Sequence, residues 1–69
     1  MLQFKSKDKF ELKGRGTVYC VEFPKLKLKE VRAWTGTEIE IDGTKHRIQG
    51  VETFAQPDNC YTTTAGLLV

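Results

Sequence analysis

The side chains able to do chemistry are few and widely spread. Lys25, Lys27 and Lys29 stand at every second position, with Leu26 and Leu28 between them. On an extended strand that spacing puts three ammonium groups on one face, a candidate stripe for contacting phosphates or a partner. The commoner reading is a solvated edge strand whose lysines discourage edge-to-edge pairing. Trp34, the one tryptophan, precedes a Thr35-Gly36-Thr37 turn. It reads either as a stacking platform for a base or as the cover on the end of a small core. Arg15 stands alone between Gly14 and Gly16 at the tip of a bend, where its guanidinium faces water or a partner. His46 shares a strand face with Ile39 and Ile48, which reads as the edge of a core rather than a catalytic base. Cys20 and Cys60 fit neither a CxxC redox pair nor, with one histidine, a zinc set. They read as reduced, buried, small apolar residues.

No enzyme constellation emerges. The threonines Thr62, Thr63 and Thr64 have no evident base, and Gly14 and Gly16 are too close for a phosphate-binding G-x-x-x-x-G-K-[ST] loop, which must also open a helix. The chain is expected to be a non-enzyme with no metal, no cofactor and no small-molecule substrate.

The elements that would carry these residues are strands. Phe10 and Leu12 alternate with Lys9, Glu11 and Lys13, the period-2 pattern of a strand with one buried face. Gly14 and Gly16 mark a sharp bend, and Thr17–Phe23 restarts as a β-branched and aromatic run. Pro24 ends that strand or places it on an edge. Leu26 and Leu28 then lie on one parity and Val31 and Ala33 on the other, so a bulge or turn between Lys29 and Val31 must change the face.

Asp42-Gly43 is a two-residue hairpin signal, because both central positions of a type I′ turn need positive φ. It predicts Ile41 opposite Thr44, Ile39 opposite His46 and Thr37 opposite Ile48. Lys45 and Arg47 then fall beside Glu38 and Glu40, where opposite charges across the strands account for them without a ligand. Leu2 and Phe4 are placed in a short lead-in strand, and Phe54 continues the strand begun at Val51. Residues 56–59 read as a turn. Residues 60–69 supply a last strand bent at Gly66. No segment keeps a helical period for ten residues.

The chain's 69 residues make one domain, 1–69, near the lower limit for folding on a single core. Eleven basic and nine acidic side chains leave a net charge of +2, too balanced to require or exclude nucleic acid. No apolar run reaches membrane-spanning length and no signal-peptide core follows Met1. A cytoplasmic monomer with no membrane contact is expected. Met1 and the lack of linker composition suggest a complete small protein. The expected fold is all-β: a small closed or partly open antiparallel β-barrel of six or seven strands, closing on itself to cover its edges.

The same residues carry a resemblance. Phe10 through Val18, F-E-L-K-G-R-G-T-V, resembles the F-x-I-x-G-R-G-T-V opening of the second domain of elongation factor Tu and related translational GTPases. Glu38 through Gly43 resembles the family's E-V-E-I-x-G, Gly50 through Phe54 its G-V-E-M-F, and Ala65 through Val69, more loosely, the strand that follows. Val21 stands where relatives have glycine, and only Trp34-Thr35-Gly36 represents the family's next segment.

The resemblance implies a translation-factor domain 2-like barrel without its GTPase domain. It further implies a non-catalytic module that binds RNA or a translation component as competitor or mimic. The implied partner is the acceptor end of tRNA or a protein of the translation machinery. By motif position Glu52 would lie against the terminal adenosine, with Phe54, Leu67 and Arg15 as accompanying RNA-binding candidates. A glutamate stem can cover a ring while its carboxylate bonds a hydroxyl; Glu52 paired with Lys45, Arg47 or Arg15 is the alternative. A small protein-interaction or accessory module reusing the barrel, without nucleic acid, is the other reading of the whole chain. Small free-standing modules of this kind fit a phage or mobile element.

Overall fold

A computed structural model describes residues 2–53 and 60–69. Seven strands and one short helix are present among them: β1 (Gln3–Phe4), β2 (Ser6–Leu12), β3 (Gly16–Lys27), α1 (Leu28–Arg32), β4 (Glu38–Ile41), β5 (Thr44–Arg47), β6 (Gly50–Glu52) and β7 (Tyr61–Leu68). The strands form a four-stranded sheet in the order β2-β3-β7-β6 and a three-stranded sheet in the order β1-β4-β5. The first is antiparallel throughout, whereas β1 joins β4 in parallel. The chain is therefore mostly β with its two hairpins paired as expected, but its described strands make two sheets rather than a closed barrel.

The core lies between the sheets. Val21, Phe23, Ala65 and Leu67 from the larger sheet meet Ile39 and Ile41 from the smaller and Ile48 just past its last strand, and Val31 of the helix joins them. Phe4, Phe23 and Trp34 close one end of this core. Trp34 sits with ring centroids 5.4 Å from Phe4 and 5.2 Å from Phe23, the latter edge-on. Since Phe4 belongs to β1 and Phe23 to β3, the trio joins one sheet to the other.

The Asp42-Gly43 hairpin has the register its sequence dictates: Ile41 opposite Thr44, Ile39 opposite His46, Glu40 opposite Lys45 and Glu38 opposite Arg47. Asp42 has φ 53° and Gly43 φ 86°, the two positive values a type I′ turn demands. Beyond the strand end the Ile48 N–H still reaches the Thr37 carbonyl at 2.8 Å. The glycine bend is also present: the Arg15 N–H closes on the Leu12 carbonyl at 2.9 Å, with Gly14 at φ 76° and Gly16 at φ 127°. The short lead-in strand forms as β1.

Several expectations are corrected. The alternation read through Lys29 as a strand stops at Lys27, because Leu28–Arg32 is helical. Leu28 and Val31, three apart, both point inward from one helix face, and both are buried. This helical turn, not a bulge, produces the change of parity. Its start is closed by Leu28 N–H donating to the Cys60 carbonyl at 3.1 Å. Of the two readings of Pro24 the edge one holds: the strand does not end there, but past Val21 β3 has no β2 partner among the described residues. β3 runs through it at an irregularity in the pairing with β7 between Glu22 and Leu26, which spares the missing N–H a ladder position.

Phe10 and Leu12 do alternate with polar residues, but toward the side of the sheet away from the core. Phe10 pairs with Val18 and is 48% exposed. Gly66 is no bend but a buried position inside β7 where a Cβ would lie 3.1 Å from Val18 Cγ1. Cys20 and Cys60 form no disulfide, and each is half-buried rather than buried. Phe54 and the turn expected at 56–59 lie outside the described residues.

Candidate docking surface

Each residue singled out from the sequence has a definite place, and they do not converge. Glu52 ends β6, exposed, opposite Gly66. Leu67, beside it on β7, is 0% exposed and belongs to the core, so its side chain offers no surface to a ligand. Arg15 is exposed at the β2–β3 turn. From there Glu52 is two strands across and four residues along, about 10 Å and about 13 Å respectively. Trp34 packs between Phe4 and Phe23 rather than presenting a free ring face.

The lysines divide between two elements. Lys25 and Lys27 are exposed at the far end of β3 from Arg15, while Lys29 is exposed on α1. The lysine stripe is therefore not one face of one strand. Lys25 Nζ nonetheless lies 5.0 Å from the centroid of the Tyr61 ring, a cation–π distance, and Lys27 pairs with Tyr61 in the ladder. Tyr61 is itself 49% exposed. His46 is half-buried against Tyr19, centroids 5.3 Å apart, as a residue at the edge of a core.

The surface that does assemble is the solvent side of the larger sheet. Directly paired residues in an antiparallel ladder share a face. Phe10, Val18, Leu68 and Gly50 are paired in succession across β2, β3, β7 and β6. The adjoining row is Asp8, Cys20, Gly66 and Glu52, and on the other side Leu12 pairs with Gly16.

An apolar band thus crosses all four strands, about 14 Å from first to last. Val18 is 3% exposed although it faces away from the core, so the accessible apolar side chains of the band are Phe10 and the half-buried Leu68. The glycines keep the band open at its β6 side: a Cβ at Gly50 would touch Leu68, and one at Gly66 would press on Val18 and the Glu52 Cβ. Acidic groups rim one end, with Asp8, Glu52, and Glu22, whose carboxylate lies 3.4 Å from Lys7 Nζ. Lys13 and Arg15 rim the other.

The alternation of Phe10 and Leu12 signalled this band in the sequence, but parity alone does not say which side of a sheet is covered. Tyr61 had no signal of its own before its pairing to Lys27 was visible.

Among the described residues no pocket opens, and no cluster of three or more His, Cys, Asp or Glu is placed to hold a metal. No helix is long and apolar enough to cross a membrane. Set against known proteins, the chain matches no family model, no curated protein and no solved structure.

Proposed function

We propose that the chain is a non-catalytic binding module that docks a protein through the solvent face of its larger sheet. One observation carries the reading: on the solvent face of the larger sheet Phe10 stands 48% exposed at the end of an apolar row, Phe10-Val18-Leu68, in which Val18 is buried and Leu68 half-buried, while the core lies on the opposite face. Large exposed apolar patches rimmed by charge mark interaction surfaces, and flat apolar centres with polar rims are how protein partners are held.

The resemblance to the second domain of elongation factor Tu supports a second reading, binding of an RNA end. One observation favours it: Lys25 over the half-exposed Tyr61 ring, with Lys27 beside it, combines a cation with a stacking surface. On this reading Glu52 is free to lie against a base, and the partner is a tRNA acceptor end or a component of translation. In both readings the chain itself is no enzyme.

A displayed random-peptide library separates the two. On the first reading, panning recovers peptides with apolar centres. Leu68→Glu, which puts a charge into the band, abolishes their binding, while the double variant Lys25→Glu/Lys27→Glu keeps it. Recovery of no such peptides, or equal binding by a folded Leu68→Glu protein, overturns the docking reading. On the second, a short RNA ending in CCA binds with affinity that falls steeply with salt and is lost in the lysine variant.

A further inference from the structure

We infer that β2 is a pairing edge for a second copy of this chain, joining two larger sheets antiparallel across a two-fold axis at Phe10. Strand β2 is the terminal strand of its sheet, and β3 is its one pairing partner among the described residues. Its outer edge meets no other strand there, the usual template for another strand, although the Lys9 N–H on it is held by the neighbouring Asp8 side chain.

Which groups face outward follows from two hydrogen bonds. The Leu12 carbonyl accepts the Arg15 N–H inside the hairpin, so Leu12 faces β3. The Lys9 N–H donates to its neighbour's Asp8 Oδ1 at 2.8 Å rather than to β3. Alternate residues turn their backbone groups to opposite edges. Asp8, Phe10 and Leu12 thus bond inward, and Lys9 and Glu11 present N–H and C=O outward.

A two-fold antiparallel pair can be centred at few places. Centring on Lys9 sets that lysine against itself. A centre at Glu11 sets the glutamate against itself and Lys9 against Lys13. With Asp8 as the centre, Asp8 meets itself and Lys7 meets Lys9. Like charges directly opposite are unfavourable.

Centred on Phe10, Lys9 of each copy lies opposite Glu11 of the other. Both are outward-bonding residues, so once the Lys9 N–H leaves the Asp8 carboxylate each Lys9–Glu11 pair exchanges two backbone hydrogen bonds as well as opposite charges. Phe10 then meets Phe10 at the position without hydrogen bonds, where side chains come closest, and a ring 48% exposed in one copy is covered. Lys7 falls opposite Lys13 within the irregularity between Ser6 and Asp8, and there Lys7 is already drawn to Glu22. The same patch meets itself, as a closed two-fold interface requires. The edge shares Phe10 with the apolar band but not Leu68, through which the peptide experiment reads the docking face, so the two readings fail separately.

Sedimentation equilibrium at millimolar protomer tests it. The wild-type mass is expected to approach twice 7.9 kDa. Lys9→Glu places glutamate opposite glutamate at both pairs, and Glu11→Lys places lysine opposite lysine. Each variant alone should stay a monomer, with dimer affinity down about tenfold or more. An equimolar mixture of the two restores opposite charges at both pairs and should dimerise, as should the single chain carrying both changes. A wild-type chain that remains monomeric overturns the inference and leaves the docking reading to the peptide experiment. A dimer indifferent to the charge changes, or a mixture that fails to recover it, overturns the Phe10-centred register.

Discussion

Asp42 does two jobs at one position. It takes the positive φ that a type I′ turn requires, and its carboxylate ties the hairpin to the start of β2. The Ser6 N–H donates to Oδ1 at 2.8 Å, and the Ser6 hydroxyl donates to Oδ2 at 2.5 Å. The hydroxyl bond and then the backbone bond hold the Asp42 carboxyl below its ordinary value of 3.8, with Lys5 and Lys9 adding to the effect. Both bonds favour the charged form. A folded pKa below the unfolded one gives stability that is full above the unfolded pKa and lost as pH falls through the folded one. Acid should therefore loosen this tie at pH below about 4. Asp42→Asn keeps a side chain that tolerates positive φ but has no such titration. Thermal melts between pH 5 and pH 2 should show a smaller acid loss for the variant than for wild type; equal losses would remove Asp42 from the account.

At the scale of elements, the two glycines of the β2–β3 bend differ in what they do. Gly14, at φ 76°, has open space around it, whereas a Cβ on Gly16, at φ 127°, would lie 2.5 Å from the Val69 carbonyl oxygen. Gly14→Ala should cost about 1 kcal/mol from backbone strain alone. Gly16→Ala should cost about 2–3 kcal/mol, because its φ lies in a region nearly reserved for glycine and the close approach adds to it. Urea melts of the two variants give the comparison, and equal costs would mean that the end of β7 moves aside.

The same elements mark what the sequence could and could not disclose. The β4–β5 hairpin was readable to the residue, because Asp42-Gly43 determines the turn and the turn determines the register. The glycine bend was readable for the same reason. Helix α1 was not, because Lys25 through Lys29 alternates perfectly and the switch to a three-residue spacing shows only at Val31. The side on which Phe10 lies was not readable either: alternation separates two faces, and only the packing of the second sheet says which one is covered. The candidate site suffered most, since Glu52, Arg15 and the lysines were joined by motif order, and motif order carries no distance between strands.

The whole molecule is two small sheets held by one core, and that arrangement sets its most exposed weakness. A domain of 69 residues has little margin, and its smaller sheet depends on β1, a strand of two residues paired in parallel with β4. Phe4 is what gives that strand weight. Its ring lies 5.9 Å from Phe23 of the larger sheet and 5.4 Å from Trp34, so it links the sheets at the end of the core while the Leu2 and Phe4 carbonyls accept the Glu40 and Asp42 N–H groups. Phe4→Ala should cost about 2–3 kcal/mol, below the range for a fully buried phenylalanine because Phe4 is half-buried. Trp34 supplies the readout, since its fluorescence reports this junction directly while far-UV dichroism reports the strands. In wild type the two signals should lose structure together in one transition. They should do so in Phe4→Ala as well, at lower urea, because a core shared by both sheets leaves neither able to stand alone. Separate transitions in the variant, with fluorescence lost first, would mean that the larger sheet holds together without the smaller, and that the apolar band outlasts the core beneath it.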